Sequence, residues 1–368
     1  MSTSARPLLQ RQRGFSLIEV LIGLLIAMIG VVIMMEVLIT SEQRTRTTSG
    51  GNEAMSSGAV MLHLMQRDLL QAGYGINSLG ILGCNLALPN GKVVPLAPVV
   101  IYAAGNTSTV VPAGDPNTDR MLVVYGNDTG QPEGNTVYSL SGSAYTVQAP
   151  TAFHEQDYVI PYTGSCTANL TMTKVTVVGA TDVTVDTPVA STTTLYNLGA
   201  APRVIAYAVR NGSLTMCDYM TSDCTNTSAA NWTAIAGNIV SLRAQYGRDT
   251  AVGAMDGVVD QWDQTTPTDS CKWVRATAVR YAIVARSAQT DSTLNSSGQR
   301  VCEPATTTAP NWQGTTATAP SQTLPIDLTL SKDQNGNTVS DWQCYRYRTF
   351  ETIAPSRNVL WMGTQAGC

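Results

Sequence analysis

The sequence predicts an α+β protein in which a long N-terminal transmembrane and stem helix packs on a large, mainly β, disulfide-containing head. Three observations carry this. Phe15 to Ile39 is almost unbroken in its apolar character. From Cys84 onward the chain falls into short apolar or alternating runs divided by Gly, Pro, Asn, Asp and Thr, the pattern of strands and turns. Eight cysteines, Cys84, Cys166, Cys217, Cys224, Cys271, Cys302, Cys344 and Cys368, all follow the apolar run, an even number that reads as disulfides in an oxidising compartment. With 368 residues, a sizeable core can be buried.

Composition removes several function classes. Only 13% of residues are charged, roughly half the usual share of about 25%. A net charge of -4 without any Lys/Arg run in the body disfavours nucleic acid. His63 and His154 are the two histidines, too few for most imidazole or zinc chemistry. No GxSxG, HExxH or phosphate-cradling loop is present, and His154-Glu155 lacks the second histidine of a metalloprotease motif. The reading is therefore a non-enzyme without cofactor. A membrane-anchored periplasmic enzyme or glycan-binding protein stays as the alternative from another class, because scattered carboxylates can compose a glycosidase pair.

The N-terminal segment explains where the head goes. Arg6, Arg11 and Arg13 precede the apolar run with no acid among them, which holds that end in the cytoplasm and sends the rest outward. At about 1.5 Å per residue, a helix over Phe15 to Ile39 reaches roughly 37 Å, enough to cross a bilayer. The run ends in Ile39-Thr40-Ser41-Glu42-Gln43-Arg44 without a small-x-small site, so cleavage after it is not expected. Glu19 lies five residues into the run, where an isolated carboxylate costs several kcal/mol unless something pairs with it. Glu36 sits near the outer edge and reads as snorkelling to the headgroups. Gly23 and Gly30 fall seven apart, as glycines often do in membrane helices.

The string Arg13-Gly14-Phe15-Ser16-Leu17-Ile18-Glu19 resembles the type IV prepilin signal. The resemblance implies cleavage by prepilin peptidase between Gly14 and Phe15, N-methylation of Phe15, and retention of the helix as an assembly element. It makes Glu19 the fifth mature residue and the group that meets a Phe15 ammonium of its own or a neighbouring chain. At an effective dielectric near 20 and about 4 Å, that pair is worth roughly 4 kcal/mol before desolvation. One departure is Glu36, at the position where many major pilins carry proline. The implied organisation is 1–14 leader, 15–40 transmembrane and assembly helix, 41–75 stem helix and 76–368 periplasmic or extracellular head.

In the stem, Gly50-Gly51 predicts a bend or melted stretch, each glycine weakening helix by about 1 kcal/mol. Helical periodicity resumes with Met55, Leu62, Met65, Leu69 and Ala72 on one stripe, Arg67, Asp68 and His63 off it, and Gly73-Tyr74-Gly75 as the stop. Arg67-Asp68-Leu69 with Ala72-Gly73-Tyr74 is similar to PilW-type minor pilins and the related J-type pseudopilins of type II secretion. Later strands resemble the same family: Ile239 to Gly247, Val274-Arg275-Ala276 with Val279-Arg280, and Tyr345-Arg346 through Phe350-Glu351-Thr352 to Arg357-Asn358. Residues 85 to 200 add little to the resemblance.

Within the head, strands are expected at Met121 to Tyr125, Leu170 to Val178, Ile239 to Tyr246 and Trp273 to Arg286. The clearest hairpin joins Val204 to Arg210 and Ser213 to Cys217 through Asn211-Gly212, a pair suited to a type I′ turn. Ser287 to Pro325 reads as a long surface excursion. Cys217 and Cys224 are expected to close a small loop at the hairpin's exit, and spacing leaves the other pairings open. Asp249, Asp256, Asp260 and Asp263 faintly resemble a calcium loop but lack the Asp-x-Asp-x-Asp-Gly order, so solvated turns are the expectation and no metal is assigned.

The resemblance implies a low-abundance subunit that primes or caps type IV pilus assembly and supports attachment and twitching motility. Its implied partners are prepilin peptidase, other minor pilins and the major pilin, a PilY-type tip adhesin, the inner-membrane assembly platform, and the membrane before assembly. It implies a single-pass inner-membrane precursor with a periplasmic head, then the pilus, at its tip, on the cell surface. A type II secretion minor pseudopilin is the competing assignment, which gene neighbourhood separates.

Overall fold

The computed structural model describes residues 16–127, 131, 133–297, 299–316, 319–363, 365 and 368. The chain forms two compact units, Met1–Gly50 and Gly51–Cys368. Helix α1 runs from Leu17 to Gln71. Its stretch Leu17–Glu42 is 26 residues long, reaches a mean hydropathy of 2.9 over its most apolar 18-residue window, and is wholly exposed, a surface suited to lipid or to other helices rather than to water. The melted stretch expected as one outcome at Gly50-Gly51 is not observed, since both residues are helical. Once a helix is nucleated each further residue adds a bond, and a penalty of about 1 kcal/mol per glycine does not by itself terminate it. The stop falls where expected: Gly73 and Gly75 take φ of +83° and +76° just past the last turn.

In the second unit two antiparallel sheets build a platform. Strands β1 (Val99–Tyr102), β2 (Arg120–Tyr125), β3 (Arg203–Arg210), β4 (Ser213–Asp218) and β5 (Thr233–Gly237) line up as β5-β4-β3-β2-β1. Strands β6 (Ile239–Arg248), β7 (Gln261–Asp263), β8 (Ala276–Arg286) and β9 (Tyr347–Pro355) line up as β7-β6-β8-β9. The β3-β4 hairpin turns at Asn211 (φ +50°) and Gly212 (φ +60°), the left-handed pair a type I′ turn needs. The Asp115 carboxylate accepts both turn amides at 2.8 Å.

Residues 126–202 leave this platform and return to it at one place, because Tyr125 and Arg203 are paired neighbours on β2 and β3. Between them six strands, Asn135–Ser141, Ala144–Val147, Tyr158–Tyr162, Thr173–Val178, Asp182–Val185 and Thr194–Gly199, close into a barrel. Closure removes every sheet edge. The barrel has its own core of Tyr145, Val147, Phe153, Val159, Val175, Val183, Val185 and Leu195.

Two sequence expectations need correction here. Ser287 to Pro325 is not a featureless excursion: it holds hairpins Ser292–Leu294/Arg300–Cys302 and Asn311–Thr316/Ala319–Pro325. Trp312 of the second hairpin is buried with Val240, Ala282, Val284, Ile326 and Leu328, so this hairpin covers one face of the β6-β8 sheet. The Thr/Ala/Pro composition masked a core residue. The expected strand from Trp273 begins instead with a short helix, Ser270–Val274, whose N-cap Asp269 accepts from the Lys272 amide. All eleven residues of β8 are buried, as expected of a strand covered on both faces.

Candidate assembly helix and its anchor in the head

Glu19 stands on α1, its amide donating to the Ser16 carbonyl at 2.9 Å, with an exposed side chain among exposed apolar neighbours. Gly14 and Phe15, the expected cleavage and methylation positions, lie outside the described residues. Water is a poor environment for this helix face, and lipid is a poor one for the Glu19 carboxylate. The arrangement suits a bundle in which apolar contacts come from other helices and a cation meets Glu19.

The stem's buried face runs through Ala54, Gly58, Met61, Met65, Asp68, Leu69 and Ala72. Two members of the expected stripe sit differently: Met55 is half exposed and Leu62 only partly buried. Asp68, expected off the stripe, is 4% exposed. Chemistry rather than hydrophobicity puts it there, since Tyr207 on β3 donates its hydroxyl to Asp68 Oδ2 at 2.5 Å. Burial, then the Asp68 charge, pushes the Tyr125 hydroxyl up to about 12 and moves that of Tyr207 higher still. Both phenols remain protonated donors.

Three further contacts lock the stem. Tyr281 on β8 donates to the Leu62 carbonyl at 2.6 Å. Gly58 lies so close to the Phe350 ring on β9 that any Cβ would collide with it. At the C-terminus, the Asn358 side chain donates to the carbonyls of Gln71 and Ala72, both at 3.0 Å, satisfying groups that a helix end leaves open. Gly73 continues the connection, its amide donating to Val124 on β2 at 2.9 Å.

The two sheets are joined by Asp119, which is fully buried. It accepts from the amides of Ala104 and Ala244 at 2.9 Å each and from Gln264 at 2.7 Å, with Arg243 at 3.4 Å. Burial pushes its carboxyl above the ordinary range, and Arg243 and these donors oppose that push.

The aspartates of the loop after β6 serve local structure. Asp249 accepts from Ala251 and Gly257, Asp256 from Val258, and Asp260 from Thr250, while Asp263 pairs with Arg248 at 2.6 and 2.9 Å. Asp249 departs from the solvated expectation, being 1% exposed. Among the described residues no cluster of three or more His, Cys, Asp or Glu has metal-binding geometry. The structure bonds Cys217 to Cys224 and adds Cys84–Cys166, Cys271–Cys368 and Cys302–Cys344, pairings that spacing left open. His63 is exposed, as expected.

Two family profiles match this chain. The prokaryotic N-terminal methylation motif covers residues 9–35, and PilW, described as Type IV Pilus-assembly protein W, covers residues 206–358. Over residues 206–358 the chain is similar to PilW, and over residues 9–35 to the methylation motif. No curated protein and no solved structure matches it. The PilW segment opens at Ala206, inside β3, and closes on Asn358, so it contains Tyr207, Tyr281, Phe350 and Asn358, the head groups that grip the stem. The closed barrel lies outside it. Sequence reading singled out none of Tyr207, Asp119 and Gly58 as functional. Asn358 and Ala72 both stood within stretches of family resemblance, but nothing local in the sequence pairs residues 286 positions apart.

Proposed function

We propose that this chain is a minor pilin, made as a prepilin, cut by prepilin peptidase between Gly14 and Phe15, N-methylated at Phe15, and built into the type IV pilus by its retained helix. Its domains on this reading are 1–14 leader, 15–40 membrane and assembly helix, 41–75 stem, and 76–368 head. It primes or caps the pilus with other minor pilins, the major pilin and a PilY-type adhesin on the inner-membrane platform, ends at the cell-surface tip, and serves attachment and twitching. It works by assembly, without catalysis.

One observation carries the reading. A methylation motif over 9–35 runs into an exposed 26-residue apolar stretch of α1, Leu17–Glu42, in the same chain as a PilW segment over 206–358. Removal of residues 1–14 takes away three arginines, leaving 354 residues and a net charge of -7. It also creates the Phe15 ammonium, a partner for Glu19 that the precursor lacks.

Two measurements test this together. Mass spectrometry of membrane-extracted protein is expected to find N-methylated Phe15 as the first residue. Glu19→Ala at native expression is expected to keep that terminus yet drop out of filaments. Wild-type piliation in that mutant would remove the role assigned to Glu19, and a chain still beginning at Met1 would remove the processing.

A further inference from the structure

Among the described residues, the longest strand edge left open lies on β9. Ser356 donates to Thr277, and Ser287 donates to Arg346, both at 2.8 Å, and the register Ala278↔Pro355 through Arg286↔Tyr347 continues between them. In an antiparallel ladder bonded and free residues alternate. The even-numbered residues of β9 therefore bond β8, and Tyr347, Thr349, Glu351 and Ile353 turn their amides and carbonyls away from it. Pro355 falls on the same outward side, where its missing N–H costs the ladder nothing. Among the described residues these outward groups make no main-chain hydrogen bond. The neighbouring hairpin reaches the strand through the Glu351 side chain, which accepts from Gln313 at 2.8 Å, and so covers the sheet's face rather than this edge.

An open edge of this length is a template for another strand, and proteins ordinarily block one. Here the blocking devices are slight: Pro355 at one end, with Arg348 and Glu351 in the middle. The interior is otherwise Tyr, Thr, Phe and Ile, residues that favour strands. The edge is held rigidly beside the stem, because Phe350 packs on Gly58.

We infer that β9 accepts a β-strand from a neighbouring, non-identical pilin-like subunit, which extends the β7-β6-β8-β9 sheet across the contact. This rests on the proposed assembly role, in which bundled helices bring neighbouring stems, and the sheets fixed to them, side by side. A second copy of this chain is a poor occupant. Bundled helices run parallel, which forbids the two-fold pairing of β9 with itself, and the opposite edge of the sheet is β7, only three residues long. Arg348 is exposed beside the edge, so the incoming strand is expected to carry a carboxylate within its reach.

The test uses the full-length chain in cells. Thr349→Pro deletes an outward amide that β8 does not use, and Thr349→Val keeps it. Thr349→Pro is expected to fall about tenfold in the filament fraction while melting like wild type in detergent extract, with Thr349→Val assembling normally. A photo-crosslinking phenylalanine analogue at position 349 is expected to capture another prepilin-like subunit. Should Thr349→Pro unfold, amide exchange of the wild-type chain decides, with Thr349, Glu351 and Ile353 expected to exchange at least about tenfold more slowly in filaments than in detergent. Normal assembly of Thr349→Pro, a crosslinked product of two copies of this chain, or unchanged exchange overturns the inference alone. Absence of the wild-type chain from filaments overturns the assembly reading beneath it.

Discussion

The platform that grips the stem and the barrel inserted into it are both β structures, yet they are held together differently. The platform depends on buried polar groups bridging distant segments: Asp68 to Tyr207, Asp119 to Ala104 and Ala244, and Asn358 to the end of α1. The barrel has an apolar filling of its own, from Tyr145 through Leu195, and is tied to the rest of the head by the crossing from Tyr125 to Arg203, by Cys84–Cys166, by the pairing of Leu86 with Leu170, and by Ile160, Tyr196 and Leu198, which pack in the main core. The PilW match covers most of the first and none of the second. The profile thus follows the part that grips the stem, where single polar groups fix segments far apart in the chain, and leaves out the inserted module with its second core.

The largest expected effect is at Gly58. Gly58→Leu drives a side chain into the Phe350 ring and is expected to cost the head at least about 3 kcal/mol, despite the better helix propensity of leucine. Thermal unfolding of the full chain measures it, and Phe350→Ala in the same chain should restore part of the loss. An unchanged melting temperature would mean that the stem is not seated as described.

Asp119→Asn should cost less, about 1–3 kcal/mol, because the amide NH2 replaces an acceptor facing buried donors. The pH response sharpens the point. Burial raises the folded pKa of Asp119 above its ordinary 3.8, so the folded chain holds that proton more tightly than the unfolded one. Its contribution to stability is complete below the unfolded value and is lost as pH rises through the folded value. Denaturant melts across that acidic window should slope downward in wild type and more weakly in Asp119→Asn.

The smallest effect on the platform is expected from the barrel. Val183→Ala opens a small cavity in the separate core and should cost about 1–2 kcal/mol there. Hydrogen exchange should quicken in the strands around Val183 and stay unchanged at Val124 and Tyr207. Acceleration in both regions would show that the barrel and platform share one cooperative unit.

Local chemistry was legible in the sequence. The apolar helix, the Asn211-Gly212 turn and the Gly73 stop follow from periodicity and from residues that suit one conformation. The barrel was not legible, since its strands are as short and Thr-rich as the surrounding turns and closure is a property of the whole. Asp68 was misplaced because a hydrophobic stripe counts carboxylates as outward, and only the Tyr207 hydroxyl makes burial acceptable. The site's two ends differ in the same way: Glu19 is conspicuous against apolar neighbours, while Gly58 is silent until Phe350 arrives from almost the other end of the chain.

That long return also orders events in time. The carbonyls ending α1 wait for Asn358, 287 positions after Gln71, so a chain emerging from its N-terminus carries a raw helix end until nearly all of the head has followed. A prematurely stopped product would keep the membrane segment and lose the clasp. The fold thus has a built-in receipt for complete synthesis, issued where the stem meets the last stretch of the head.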